Sequence, residues 1–231
     1  MTHILAIDTT LGACSAALIK NGTITSYKYE VRARGHVERL LPMIDEVCLE
    51  SGIKISEIEN IAVNVGPGTF AGVRIGLSAA KGMALALDIK VIPMTTLEAI
   101  MCQFVEQEKG FNGKVAVALD ARRGEIYFQI FDVASNAFNA ISKAKAVPIR
   151  KIRDNITADI NLLIGSGVEF LSDLGIRSSD MYNFPNAVYM AKYAGKKQGM
   201  AVNSDEISPL YLRAPDAIKP APLTMIVSNE E

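Results

Sequence analysis

Two stretches of this chain repeat one layout: ILAIDTTLG followed by ACSAALIK, and VAVALDARRG followed by EIYFQIFDV. Each is an apolar run ending in Asp, three residues, a Gly, and a second β-rich run. Asp8 and Asp120 are 112 residues apart, as are Gly12 and Gly124. Two such hairpins can arise by chance. The other reading is an internal duplication, which restricts the chain to an α/β fold of two halves facing each other.

The residues around these stretches fit α/β halves. Asn21-Gly22 between ACSAALIK and TITSYKYE is a strong hairpin signal. Apolar residues at 37, 40, 41, 44, 47 and 48 follow helical spacing, and Gly52 ends the run. Residues 60–65 read as a strand, 69–87 as a helix, 91–94 as a strand and 96–108 as a helix. Later, 162–167 reads as a strand and tight turn, and 186–199 as a helix capped by Asn186 with Lys196 and Lys197 suiting its dipole. Prolines at 209, 215, 220 and 222 predict an extended arm after about residue 204. The region 135–185 carries no period.

At 231 residues the chain can bury a substantial core, and 49% hydrophobic against 21% charged residues is a globular balance. A net charge of −1 gives no global field to hold nucleic acid. Cys14, Cys48 and Cys102 show no CxxC spacing and read as structural thiols. The start MTHILAID has neither a basic region nor a cleavage site, so no signal peptide is expected and the chain reads as cytoplasmic. Arg74, Lys81 and Asp88 argue against a membrane span through 71–89.

GPGTFAGVRIG, residues 66–76, is the motif with most chemical options. A Walker A loop fails, because Ala71 stands four residues after Gly66 and no Lys-Ser or Lys-Thr follows. A dinucleotide fingerprint is matched formally by Gly66, Gly68 and Ala71, with Asp88 as the nearest acid for a ribose. A third option is an anion held by backbone amides at the helix start. In the simplest reading the glycines only permit a turn and Thr69 caps the helix. The helix that follows is apolar almost all round, so its small residues face either an internal neighbour or another chain. His3 and His36 share no motif, and neither H-E-x-x-H nor G-x-S-x-G occurs. Lys143, Lys145, Arg150, Lys151 and Arg153 lack interleaved aromatics and read as a solvated face. Asp8 and Asp120 are carboxylates at strand ends, where each can also simply brace its own turn.

With ILAIDT at 4–9, HVERLLP at 36–42, GPGTFAGVRIG at 66–76 and LDARRGEIY at 119–127, the chain resembles the TsaB (YeaZ) family. The likeness is strong through residue 127 and thins across 135–185. It implies an actin-like ATPase fold (ASKHA, RNase H-like), with halves at 1–107 and 108–231 and the arm returning to the first half. It also implies a non-catalytic subunit that dimerises with TsaD and works with the TsaE ATPase. That machinery transfers a threonylcarbamoyl group to N6 of adenosine 37 in tRNAs reading ANN codons. Alone, such a subunit is expected to form a homodimer, to meet tRNA only indirectly, and to bind no cofactor, metal or membrane. ATP or ADP is expected only at the joint with TsaD. By the same resemblance His36, Arg39, Leu40, Met43, Val47, Val73, Gly76, Leu77, Ala80 and Met83 form the partner interface. Asp8, Thr9, Gly66, Gly68, Thr69 and Asp120 form a vestigial nucleotide loop. The catalytic relative's N-H-x-x-G-H motif corresponds to TTLEAI here, which puts Thr96 and Ile100 where its metal-binding histidines stand. Two rivals are an ATP-dependent phosphotransferase of the same fold and an NAD-binding enzyme.

Overall fold

A computed structural model describes residues 2–213. The first half begins with three antiparallel strands, β1 (His3–Asp8), β2 (Ala13–Lys20) and β3 (Thr23–Val31), followed by α1 (His36–Ser51). Then come β4 (Asn60–Asn64), α2 (Phe70–Leu87), β5 (Lys90–Met94) and α3 (Thr96–Gln107). The sheet order is β3-β2-β1-β4-β5, with β4 parallel to both β1 and β5. That is the order of an RNase H-like half.

The second half repeats it. β6 (Gly113–Arg122) and β7 (Glu125–Ala134) form the opening hairpin, extended by β8 (Ala137–Ala140) and β9 (Lys145–Pro148). β10 (Ile160–Ile164) lies parallel to β6, and the two-residue β11 (Ser178–Ser179) parallel to β10. α4 (Ala187–Lys196) ends the series. The protein therefore has an actin-like α/β fold of two halves, each with a mixed sheet, and Asp8 and Asp120 lie near the ends of corresponding strands.

Local chemistry explains these elements. ILAI in β1 is an unbroken apolar run because both its faces are covered. Leu5 and Ile7 meet α1 and α2, while Ile4 and Ala6 face the centre of the molecule. Asn21 and Gly22 have φ of 49° and 82°, the two left-handed positions of a tight hairpin turn. Ser135 and Asn136 (φ 53° and 59°) make the corresponding turn in the second half, without the glycine that would mark it in sequence. Where the first half has α1 and α2, the second has two seven-residue 3₁₀ segments, Ile149–Asn155 and Val168–Leu174. They cover their sheet face with Ile152, Val168 and Leu171, too few apolar positions to show a period.

The central layer is exchanged between the halves. α3 packs on β6, β7 and β8 of the second sheet, and α4 packs on β1, β2 and β3 of the first. Both helices lie side by side, and Ala187, Met190, Ala191 and Ala194 let α4 approach the small residues Ala6 and Ala17. The Asn186 side chain caps α4 by accepting from the Val188 amide, and the Ala187 amide reaches the Ser15 hydroxyl on β2.

The chain then crosses the first half. Val202 and Val91 exchange backbone hydrogen bonds, Ile207 is buried beside α1 and α2, and the Leu210 amide donates to Val65 O. The part of the expected arm beyond residue 213 lies outside the described residues. Among the described residues α2 is the one helix long and apolar enough to cross a membrane. Here its apolar side packs against the first sheet.

Candidate functional site

The glycine-rich turn sits where β1, β4 and α3 meet, over a knot of buried polar residues: Asp8, Thr9, Thr10, Asn64 and Thr96. Asn64 Oδ1 accepts from the Gly66 amide at 3.0 Å and from the Thr96 hydroxyl at 2.9 Å. Its Nδ2 donates to the Thr10 hydroxyl at 3.2 Å, and that hydroxyl donates to Asp8 Oδ1 at 2.7 Å. The Thr96 hydroxyl also reaches Pro67 O at 2.5 Å. Asn64, which no sequence motif singles out, is the hub of the network.

The turn is occupied by its own chain. The Thr69 amide donates to Thr10 O at 2.8 Å, so that carbonyl holds the place an anion would take on this amide. The Thr9 hydroxyl donates to Gly72 O at 2.6 Å. A Cβ on Gly68 would overlap the Thr10 carbonyl oxygen, and one on Gly72 the Thr9 carbonyl oxygen. These glycines are bare because the β1–β2 loop lies against them. Thr69 caps α2, its side chain accepting from the Gly72 amide.

The six residues of the expected nucleotide loop are not all together. Gly68, Thr69 and Asp120 line an interhalf cleft of about 590 Å³, with Arg122, Ser166 and Phe184. Asp8 and Thr9 are fully buried behind it. Asp120 accepts from the Arg122 amide at 2.7 Å and pairs with the same residue's guanidinium at 3.3 Å, so it braces its own turn. The dinucleotide reading is corrected here. Asp88, its ribose acid, takes the left-handed C-cap position of α2, at the far end of that 18-residue helix from the glycines. Thr96 is spent on the hydrogen bonds above, and Ile100 is fully buried in the central apolar layer. Neither supplies a metal ligand, and among the described residues no three His, Cys, Asp or Glu side chains cluster to hold one. All three cysteines are free and buried; burial pushes the Cys14 thiol up to about 11.

The residues expected at the partner interface lie mostly inside the subunit. His36, Leu40, Met43, Val47, Val73, Gly76, Leu77 and Ala80 are buried within the subunit. Gly76 faces the Thr9 hydroxyl and Val63, so its lack of a side chain serves the β1–β2 loop. Arg39 is locked in a bidentate pair with Glu46, both contacts 2.7 Å, and reaches Glu30 at 2.8 Å. Met83 is half-buried. The small-residue face of α2 looks inward, because only there can β1 and its loop come close. The outward faces carry different residues: Val37, Leu41 and Leu49 on α1, and Phe70 and Leu85 on α2. Leu49 and Leu85 are 84% and 79% exposed, and Ala71, Ser78, Gly82 and Ala86 leave the outside of α2 low.

Comparison with known proteins gives this geometry a context. A family described as TsaD, tRNA N6-adenosine threonylcarbamoyltransferase, matches residues 27–170. The tRNA threonylcarbamoyladenosine biosynthesis protein TsaB of Haemophilus influenzae is 34% identical over 224 residues, 91% of this chain and 93% of that protein. The Escherichia coli protein of the same name is 32% identical over 230 residues, covering 95% and 98%. The solved structure of YeaZ from Pseudomonas aeruginosa superposes with a TM-score of 0.80 at 30% identity, over 92% of this chain and all of that one.

Proposed function

This chain belongs to the TsaB (YeaZ) family and to the biosynthesis of threonylcarbamoyladenosine in tRNA, and from that premise we propose that it is a non-catalytic subunit docking on TsaD. The outward faces of α1 and α2 carry this reading. They keep large aliphatic side chains in solvent that the subunit's own core does not need. The filled glycine turn supports it, since Thr9 and Thr10 stand where a phosphate would approach. So does Thr96, whose hydroxyl is committed to Asn64 and Pro67.

In the assembly TsaD performs the transfer to adenosine 37 of tRNAs reading ANN codons, and TsaE joins the larger complex. ATP or ADP sits at the joint with TsaD and not in this subunit alone. Without TsaD the same leucines pair two copies of this chain. The compartment is the cytoplasm.

Co-purification with TsaD, followed by a tRNA modification assay omitting each subunit in turn, tests the proposal. Leu41→Asp combined with Leu85→Asp is expected to weaken pairing about a hundredfold, as two buried anchors at about 1–2 kcal/mol each imply. Both positions are exposed, so the melting curve of the isolated variant stays near that of the parent. A double variant that still co-purifies with TsaD and supports modification ends this reading.

A further inference from the structure

Two hollows flank α4 and share Tyr189 and Lys192. The larger, about 500 Å³, lies between α4 and the edge strand β3 and reaches Ile24 and Tyr27. The smaller, about 230 Å³, lies between α4, α3 and β8 and reaches Phe138, Asn139 and Lys196. Together they form one furrow across α4.

The residues of α4 divide by helical phase. Ala187, Met190, Ala191 and Ala194 are buried. Tyr189, Lys192, Tyr193 and Lys196, with Lys197 just beyond, recur at three- and four-residue steps along the furrow. The Tyr193 ring stacks on Phe138 at 5.2 Å, and Lys197 Nζ stands 5.4 Å from the Tyr193 ring centre. Glu106 is the one acid among the described residues lining the furrow, and it is shared by Lys192 at 2.8 Å and Lys109 at 3.0 Å. Lys196 and Lys197 are exposed and have no carboxylate within ion-pair distance among the described residues. Three lysines against one acid make a local excess on a chain whose net charge is −1.

We infer that this furrow binds single-stranded RNA, an unpaired stretch of the tRNA that the assembly modifies. Bases stack on the exposed Tyr27 ring and against Tyr189 beside it, phosphates meet the Lys196 and Lys197 ammonium groups, and Asn139 and Asn186 offer amides to base edges. An acidic peptide would match the lysines but would leave the rings and amides unused. A duplex would keep its base faces from the rings. The choice of RNA rests on the proposed role in tRNA modification. The furrow itself does not involve the α1 and α2 faces.

Fluorescence anisotropy on the purified full-length chain, without TsaD, tests this with an oligouridylate of about 12 nucleotides. The controls are an RNA duplex of equal length and polyglutamate. Contact of Lys196 and Lys197 with two phosphates gives a log–log salt slope near −1.4, at about −0.7 for each. Lys196→Ala with Lys197→Ala is expected to bring the slope close to zero. Tyr27→Ala, at an exposed position, is expected to weaken binding about tenfold with the slope unchanged. The inference is overturned by absent single-strand binding at low salt, by equal affinity for duplex or polyglutamate, or by variants that bind like the parent. Because TsaD is absent throughout, failure here is separate from failure of the docking proposal.

Discussion

Replacing Gly72 by Ala is expected to cost about 3 kcal/mol of stability, the upper end of overpacking penalties, because the obstacle is backbone. The added methyl would land on the Thr9 carbonyl oxygen and close to the Thr69 hydroxyl that caps the helix. Neither can withdraw without breaking the Thr69–Thr10 and Thr9–Gly72 hydrogen bonds. Gly82, ten residues further along the same helix, has nothing within 4 Å of where a Cβ would stand and is exposed. There the same change should stabilise by about 0.5–1 kcal/mol, since alanine is the better helix former. Urea midpoints of the two variants therefore move in opposite directions. Equal shifts would mean that the loop does not rest on the helix as described.

The second large effect is expected from Asp8 as pH changes. Its carboxyl is fully buried, and burial raises its pKa from 3.8 to about 7, only partly offset by Thr10 and Asn64. One oxygen, Oδ2, has no hydrogen-bond partner. With the folded pKa above the unfolded one, the folded chain keeps a proton that the unfolded chain releases. This group's stabilisation is therefore complete below about pH 4 and is lost as pH rises through about 7. Its size is bounded near 4 kcal/mol, about 1.4 kcal/mol for each pH step between the two values. Asp8→Asn cannot titrate, so the stability difference between parent and variant should move in the variant's favour by about 2–4 kcal/mol between pH 4.5 and 8.5. Denaturation at the two pH values measures it. A difference constant across the range would show that Asp8 is already ionised at the acidic end.

How much of this was legible in sequence depends on the kind of signal. The strand at 4–8 declared itself by an apolar run, the hairpin by Asn21-Gly22, and α1 by its spacing, since each is local chemistry. Periodicity tells which residues share a face, and not which face looks out. Gly76 and Ala80 were grouped correctly on one side of α2, but what fills that side is Thr9, 67 residues before Gly76, and no local pattern carries that contact. That Leu49 and Leu85 are left in solvent shows only once the helices are placed. Asn64 was invisible because its role is to join three segments at 10, 66 and 96. The α4 furrow was hidden likewise: Lys196 and Lys197 fit the helix dipole well, and their aromatic neighbours Tyr27 and Phe138 come from distant strands. Between 135 and 185 the elements are shorter than the window any period needs.

The crossing of α3 and α4 bears on the origin of the fold. Each is the final helix of its own repeat, and each rests on the sheet of the other. A single ancestral repeat of this design would have had no helix of its own for that face of its sheet. It would have borrowed one from a twin and lent its own in return, as in a domain-swapped pair. Gene fusion would then have joined two molecules that already needed each other, and neither half of the present chain would be a free-living protein.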